Sequence, residues 1–407
     1  MEQSLFQKRI IIILNIVTPF LLGTGIDLYV PSLPIITNYF HTTNHLAQLT
    51  VSLYMLGYSV GQLFLGVLSD GLGRKKILFL SAIFCTGVSF ACVFSPNIEM
   101  LNVYRFLQGI GLAGLSVVCR AVLVDRFSGI QLNKAMTYIS ISWALGPILG
   151  PFIGGYLQHL FNWQADFYFF GLYGLMITVL AGMMPETHYH LQSLQPAHVV
   201  KTIRGILTHS VFFWGSIFLA FAYSALVMFN VIGPFLIQEV LKYSVVAYGH
   251  IALLLGIAYC LGNCTTRLAI NYVSPMRVVF VSMIGAVMTS LCMLLLALFL
   301  PMNLWVILIP IFILFYFLGL AFPNMATKCY SLFPELGGTA GAVCGSLMAL
   351  GVFMVTAFGA LLETKTQTPL AIVYMGLSLV CLILFCVCQR MDQNDVNTNP
   401  HREIAIK

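Results

Sequence analysis

Gly66-Val67-Leu68-Ser69-Asp70-Gly71-Leu72-Gly73-Arg74-Lys75-Lys76 joins two long apolar stretches through a tight basic turn. A turn this short makes the two flanking segments antiparallel neighbours. If both cross a bilayer, the cluster of three cations also fixes which side the turn lies on. Asp70 can cap backbone N–H groups or pair with Arg74, and Gly66 and Gly73 permit close helix approach and bends that a side chain would block. A plain connecting loop with topogenic charge would not need Gly, Asp, Gly and Arg at this spacing.

Composition points the same way. Of 407 residues, 59% are hydrophobic and only 8% charged, against about a quarter charged in soluble domains. The net charge of +6 is scattered over short loops and makes no continuous basic face, so it is topogenic and no nucleic acid is expected as a partner. The fold class expected is an all-α membrane protein.

Apolar runs of roughly 20 residues, the length that crosses a hydrocarbon core, fall at 10–30, 46–68, 77–95, 99–120, 134–158, 166–184, 211–237, 247–266, 278–300, 304–326, 339–362 and 369–389. Twelve spans place both termini on one side. Of the nineteen Lys and Arg residues, only Lys242 and Lys365 fall in loops of the opposite side and Arg105 lies within a span; Lys8, Arg9, Arg126, Lys134, Lys201, Arg204, Arg277, Arg390 and the others share the side of the turn. The positive-inside rule makes that side cytoplasmic.

The longest polar interruption runs from Pro185-Glu186 through His188, His190 and Pro196 to Lys201 and Arg204. It divides the chain into a six-helix bundle at 1–184, a cytoplasmic linker at 185–210 with an amphipathic helix along the membrane surface, a second bundle at 211–390 and a cytoplasmic tail at 391–407. Gly262-Asn263 with Arg267 and Arg277 sits in the second half where the basic turn sits in the first. Two bundles around a midplane cavity follow the repeat logic of secondary transporters.

The amino-terminal run is too long for the apolar part of a signal peptide and offers no small-residue cleavage site after Asp27, so no cleavage is expected. The eleven cysteines, among them Cys85, Cys119, Cys264 and Cys344, are expected as free thiols. Cys386-x-Cys388 lacks a second ligand pair, and no metal site is expected. HExxH does not occur, and the GxSxG match Gly57-Tyr58-Ser59-Val60-Gly61 lies inside the second apolar run and not at a strand-to-helix turn, so no enzyme is expected.

Three further constellations carry chemistry. Span four contains Tyr104-Arg105-Phe106-Leu107-Gln108-Gly109-Ile110-Gly111 and ends its small-residue face at Gly114. An arginine inside a span costs about 2.5–3.5 kcal/mol on the lenient insertion scale, so Arg105 needs compensation and is expected to face the cavity with Gln108. Span five contains Gly146-Pro147-Ile148-Leu149-Gly150-Pro151-Phe152-Ile153-Gly154-Gly155. Glycines four apart make a smooth packing face, and each proline removes a backbone donor that a packing helix would keep. Span one carries Asp27, read as the acidic residue well inside a span, followed by Tyr29-Val30-Pro31-Ser32-Leu33-Pro34.

These segments together resemble the major facilitator superfamily, and more narrowly its twelve-span drug:proton antiporter branch, Bcr/CflA subfamily. The turn at 66–76 is similar to the superfamily loop motif, Arg105 to Gly114 to the branch's fourth-helix motif, and Gly146 to Gly155 to its antiporter motif. Asp27 to Pro34, Pro323-Asn324 and Gly337-Gly338-Thr339-Ala340-Gly341 resemble subfamily positions.

The resemblance implies two bundles that rock about a central cavity, in a multi-pass protein of the bacterial cytoplasmic membrane. It implies export of small amphipathic organic compounds, driven by the proton gradient without a cofactor, by a monomer whose partners are substrate, protons and lipid. Gly66, Asp70, Gly73 and Arg74 would latch the cytoplasmic gate with Asp125; Gly146, Pro147, Gly150, Pro151, Gly154 and Gly155 would form the bending seam. Tyr29, Tyr54, Gln108, Trp143, Tyr223 and Asn230 are the candidate substrate lining, with Asn230 on substrate rather than on protons. Asp27 and Arg105 are the candidate coupling pair: at 1.5 Å per residue, Asp27 lies about 25 Å along span one and Arg105 about 10 Å into span four, both in the outer half. A carboxylate there must pair with a cation or take up a proton. An endogenous metabolite or siderophore as cargo, or a proton-symporting importer on the same fold, are the alternatives.

Overall fold

The computed structural model describes residues 2–187, 196–333, 337–363 and 365–398, which are α-helical with no strand among them. Twelve helices are long and apolar enough to cross a membrane. Spans 1 to 6 are Arg9–Tyr39, Asn44–Leu72, Arg74–Val93, Ile98–Arg126, Gly129–Leu160 and Gln164–Met183. Spans 7 to 12 are Ser210–Val240, Val245–Ala269, Pro275–Phe299, Leu304–Ser331, Gly338–Gly359 and Thr368–Gln393.

Each apolar run read from the sequence coincides with one span, but several helices overshoot the run. Span 4 continues to Arg126, span 10 to Ser331, and the last helix to Thr398. Hydropathy sees only the part in hydrocarbon, whereas backbone hydrogen bonding carries a helix on through polar residues. The segment read as a tail from 391 therefore begins as helix. The linker contains the helix Pro196–Leu207, with Ile206 buried and Val200 exposed, and it packs on spans 7 and 11. His188 and His190 lie outside the described residues, as does 399–407.

Local chemistry sets the ends. Asn97 Oδ1 accepts from Met100 N at 2.8 Å, Ser244 Oγ from Ala247 N at 3.1 Å, and Asn303 Oδ1 from Trp305 N at 3.0 Å, each opening a span with the side-chain acceptor a helix start needs. Span 1 is interrupted: its first helix stops at Asp27, a 3-10 turn covers Val30–Ser32, and a short helix follows from Leu33. Pro31 and Pro34 cannot donate to a continuous ladder, which explains the break just after Asp27. Span 7 ends in a π-helical turn, Phe235–Val240, directly after Pro234.

Packing repeats between the halves. Spans 1 and 5, 2 and 4, 3 and 6, and 3 and 4 pair in the first half; spans 7 and 11, 8 and 10, 9 and 12, and 9 and 10 pair in the second. The two main seams between halves, span 2 on span 11 and span 5 on span 8, exchange under the same correspondence. The chain is thus a tandem repeat at the level of packing.

Candidate functional site

Asp27 closes the first helix of span 1 at the seam between halves, and its side chain is 7% exposed. Asn230 of span 7 donates its amide N–H to Asp27 Oδ1. No cation pairs with Asp27 among the described residues. The broken segment beyond it is held from both halves: Gln238 Nε2 donates to Pro31 O at 2.8 Å, and Ser32 Oγ donates to Asp166 Oδ2 at 2.6 Å.

Arg105 is placed otherwise than expected. It is fully buried, donates from Nη2 to Gly25 O at 2.9 Å and from Nη1 to Gln108 Oε1, and lies 4.1 Å from the ring centre of Tyr29 and 4.4 Å from that of Tyr54. It makes no ion pair with Asp27. Two aromatic faces, a helix-end carbonyl and an amide oxygen compensate the charge instead of the carboxylate. Arg105 is therefore bound to span 1 two residues before Asp27 and positions the break.

That arrangement withdraws three residues from the expected substrate lining. Tyr29 is fully buried with its hydroxyl on Thr50 Oγ1 at 2.8 Å; Tyr54 is 2% exposed against the guanidinium; Gln108 is fully buried and donates to Ser89 Oγ at 2.8 Å. Their polar atoms serve Arg105 and its surroundings. Trp143 and Tyr223 stay half-buried with ring centres 6.1 Å apart, so spans 5 and 7 face each other there across the halves, and Tyr223 meets Phe322 at 6.3 Å.

The glycine-proline helix stays helical throughout Gly129–Leu160. A Cβ at Gly146 would strike the Gly23 backbone and one at Gly154 the Leu28 carbonyl, while one at Gly150 would lie 3.1 Å from Asp27 Cβ. Its smooth face thus lies on span 1 around the break. The opposite face carries the seam: a Cβ at Gly155 would lie 3.0 Å from Val245 O, and one at Gly249 2.8 Å from Pro151 O.

At the basic turn Arg74, 7% exposed, pairs with Asp70, donates from Nη1 to Ser69 Oγ at 2.7 Å and from Nε to Asp125 Oδ2 at 3.1 Å. The sequence reading missed Glu186. Its carboxylate accepts from Arg74 N at 3.0 Å and Lys75 N at 3.1 Å, an anion seated on the amino end of span 3. Arg126 Nη2 donates to Glu186 O at 2.8 Å. Gly73 turns the chain at φ +96°, and a Cβ there would lie 2.6 Å from Glu186 Oε2. These bonds tie together the ends of spans 2, 3, 4 and 6. Asp70→Asn and Arg74→Ala should each lower transport at least severalfold at matched surface expression, and undiminished transport in both would remove the gating role.

The opposite end carries hydrogen bonds between the halves. Asn44 Nδ2 donates to Glu239 Oε2 at 3.1 Å, Gln48 Nε2 to Val231 O at 2.8 Å and Ser52 Oγ to Thr356 Oγ1 at 2.9 Å, and a His45 ring nitrogen lies 3.0 Å from Ala360 O. Asp166 also belongs to that end, fully buried with Oδ1 unpartnered. The sequence reading passed over it because it lies within three residues of the span's start, where an acid reads as a helix-end residue.

Comparison with known proteins decides the family. The family profile described as Major Facilitator Superfamily matches residues 16–356. The chain belongs to that superfamily. Within it, the chain is 25% identical over 368 residues to a multidrug resistance protein D of Escherichia coli, covering 87% of this chain and 89% of that protein. It is 34% identical over 177 residues to a bicyclomycin resistance protein homolog of Haemophilus influenzae, covering 43% of this chain and 44% of the other. Among solved structures, a D-xylose-proton symporter superposes with a TM-score of 0.72 over 92% of this chain and 96% of that one, at 16% identity. That last likeness concerns the fold alone.

Proposed function

We propose that this superfamily member is a proton-coupled antiporter of the drug:proton branch, Bcr/CflA-like, that exports small amphipathic organic compounds across the bacterial cytoplasmic membrane. The observation that carries the reading is Asp27: a buried carboxyl at the seam whose side-chain partner is a neutral amide from the other half. A carboxyl paired with a fixed cation would stay ionised through the cycle. One held by an amide can take up and release a proton.

The resistance proteins among the relatives support drug-like cargo, as does the Trp143–Tyr223 pair, whose aromatic faces suit amphipathic molecules. With the basic end on the cytoplasmic side, the hydrogen bonds at the opposite end close the external side. Substrate entering from the cytoplasm reaches Asp27 and displaces its proton inward. Rocking about the two seams then opens the external side, where substrate leaves and a proton returns. Arg105 takes no part in proton transfer; it holds the carbonyl of Gly25 and so the register of the break. The gate around Arg74 and Glu186 stiffens the cytoplasmic ends of the first bundle, and the protein works as a monomer.

The experiment is a growth and accumulation screen of a deletion strain against a compound panel, with and without a protonophore. Protonophore-sensitive export of at least one amphipathic compound supports the reading. Accumulation that is instead driven inward by the gradient contradicts it.

The structure also changes the expectation for Asn230, because its amide touches the coupling carboxyl. Asn230→Ala should shift the pH profile of transport as well as change the range of compounds, since the carboxyl has lost the amide that donates to it. An unchanged pH profile with an altered compound range would return Asn230 to substrate contact alone.

A further inference from the structure

Asp166 is a buried carboxyl that the transport cycle leaves unused. It is the third residue of the helix Gln164–Met183, at the end opposite the basic turn, and its side chain is fully buried. Trp163 and Phe170, three residues before and four after it, share its helix face and are buried as well. The Trp163 ring meets Tyr39, Phe40 and Phe167 at 5.3, 5.6 and 5.9 Å, an aromatic layer at the start of the span.

Its side-chain bonding is sparse. Ser32 Oγ donates to Oδ2 at 2.6 Å, and Oδ1 has no partner. Spans 1, 3 and 5 pack against span 6. Of the titratable side chains they bring to this half, Asp27 bonds Asn230, Tyr29 bonds Thr50, Cys92 is a buried thiol, and Tyr39, Tyr156 and His159 are exposed. Arg105 of span 4 stands 5.9 Å from the Phe167 ring centre but donates to Gly25 O and Gln108. None of these bonds Asp166. An ionised carboxylate sealed in apolar surroundings needs a cation or several donors. With one hydroxyl it is sealed in as the acid, and Oδ1 is free to carry the proton.

The hydroxyl partner gives this acid a task. Ser32 ends the 3-10 turn Val30–Ser32 in the break after Asp27, and the adjacent Pro31 O accepts from Gln238 of span 7 at 2.8 Å. The break thus has one tether to its own half and one to the other. Opening the external side parts the halves, so the Gln238 tether must release while the Ser32 tether can stay. A hydrogen bond to a carboxylate is roughly twice as strong as one to a neutral acid. We propose that Asp166 is a second proton-binding carboxyl, which exchanges its proton with the external side and positions the break of span 1. Ionised, it draws Ser32 to the first half; protonated, it leaves the segment shared with Gln238 and the external side closed. The inference rests on the antiport reading for its place in the cycle. Its proton returns to the side it came from, so Asp166 carries none across and Asp27 remains the coupling group.

The test uses purified full-length protein in phosphatidylcholine liposomes, with the proton as the only ligand. Infrared difference spectra between acid and alkaline buffer report the C=O band of carboxyls that change protonation. Asp166→Asn should remove one component of the parent's band and Asp27→Asn a different one. Ser32→Ala, which keeps the acid and removes only its hydroxyl partner, should move the Asp166 component without abolishing it. A difference spectrum of Asp166→Asn equal to the parent's would overturn the proposal, and so would a Ser32→Ala spectrum in which that component stays in place. A merely structural acid gives the first of these results, because its protonation would not follow pH. In inverted vesicles, the proton-to-substrate ratio of Asp166→Asn should equal the parent's, and a lower ratio would contradict the one-sided exchange. If Asp27→Asn leaves the spectrum unchanged while Asp166→Asn alters it, the coupling reading fails and the proton site at Asp166 stands.

Discussion

Gly154→Val is expected to lower transport about a hundredfold while the protein still inserts and accumulates in the membrane. The Leu28 carbonyl lies where the first carbon of any side chain at 154 would stand. Span 5 meets span 1 backbone to backbone here, and no rotamer of valine avoids the overlap. Span 1 must move outward just beyond Asp27, where its helix is broken and held by Gln238 on Pro31, Asp166 on Ser32 and Thr50 on Tyr29. A displacement near 1 Å at a reacting group costs on the order of 10²-fold in rate, and overpacking costs about 1–3 kcal/mol of stability. The loss should therefore exceed what destabilisation alone explains. Gly87→Ala, at a site with nothing within 4 Å, is the matched control and should transport as the parent does. Export by Gly154→Val at the parent rate in inverted vesicles would mean that the close approach is not needed.

The fold was legible because its signals are physical and repetitive. Twelve apolar runs of membrane length, the turn at 66–76 and the bias of Lys and Arg each state a constraint that burial in lipid imposes on sequence. Asp70, Arg74 and Asp125 could be paired on paper because they lie near three helix ends that one short turn and the one-sided distribution of Lys and Arg bring to the same side. Glu186 could not, since its carboxylate meets the backbone amides of Arg74 and Lys75, and nothing in a sequence marks which helix start an anion will meet. The Arg105 reading failed for a related reason. A buried cation was rightly seen to need compensation, but charge is only one way to supply it, and the faces of Tyr29 and Tyr54 with the carbonyl of Gly25 do so at close range. Those tyrosines were in turn read as free to line a cavity, because spacing along a helix shows which residues share a face but not which ring is already occupied. Asn230 is the instructive case. It lies 203 residues from Asp27 in the chain and touches it, a contact that depends on how the two halves meet.

The second large effect expected is at Asp27. Substituting Asn keeps the size and the ability to face Asn230 but removes the proton site, so exchange should stop while substrate still binds. A carboxyl that only assembled the bundle would behave otherwise: its loss would lower protein level and stability, and whatever protein remained would still couple. Glu at the same position separates the two further, because it restores a titratable group in a displaced place and should recover partial coupling. Arg105→Ala should also reduce transport, through the lost anchor on Gly25, yet the protein that does turn over should still release protons.

Substrate-induced proton release in inverted membrane vesicles, at matched protein levels and with a compound taken from the growth screen, tests the central claim most directly. The parent is expected to acidify the medium when substrate is added, and Asp27→Asn is expected to give no release while retaining saturable substrate binding. Proton release by Asp27→Asn equal to the parent's would show that the coupling carboxyl lies elsewhere.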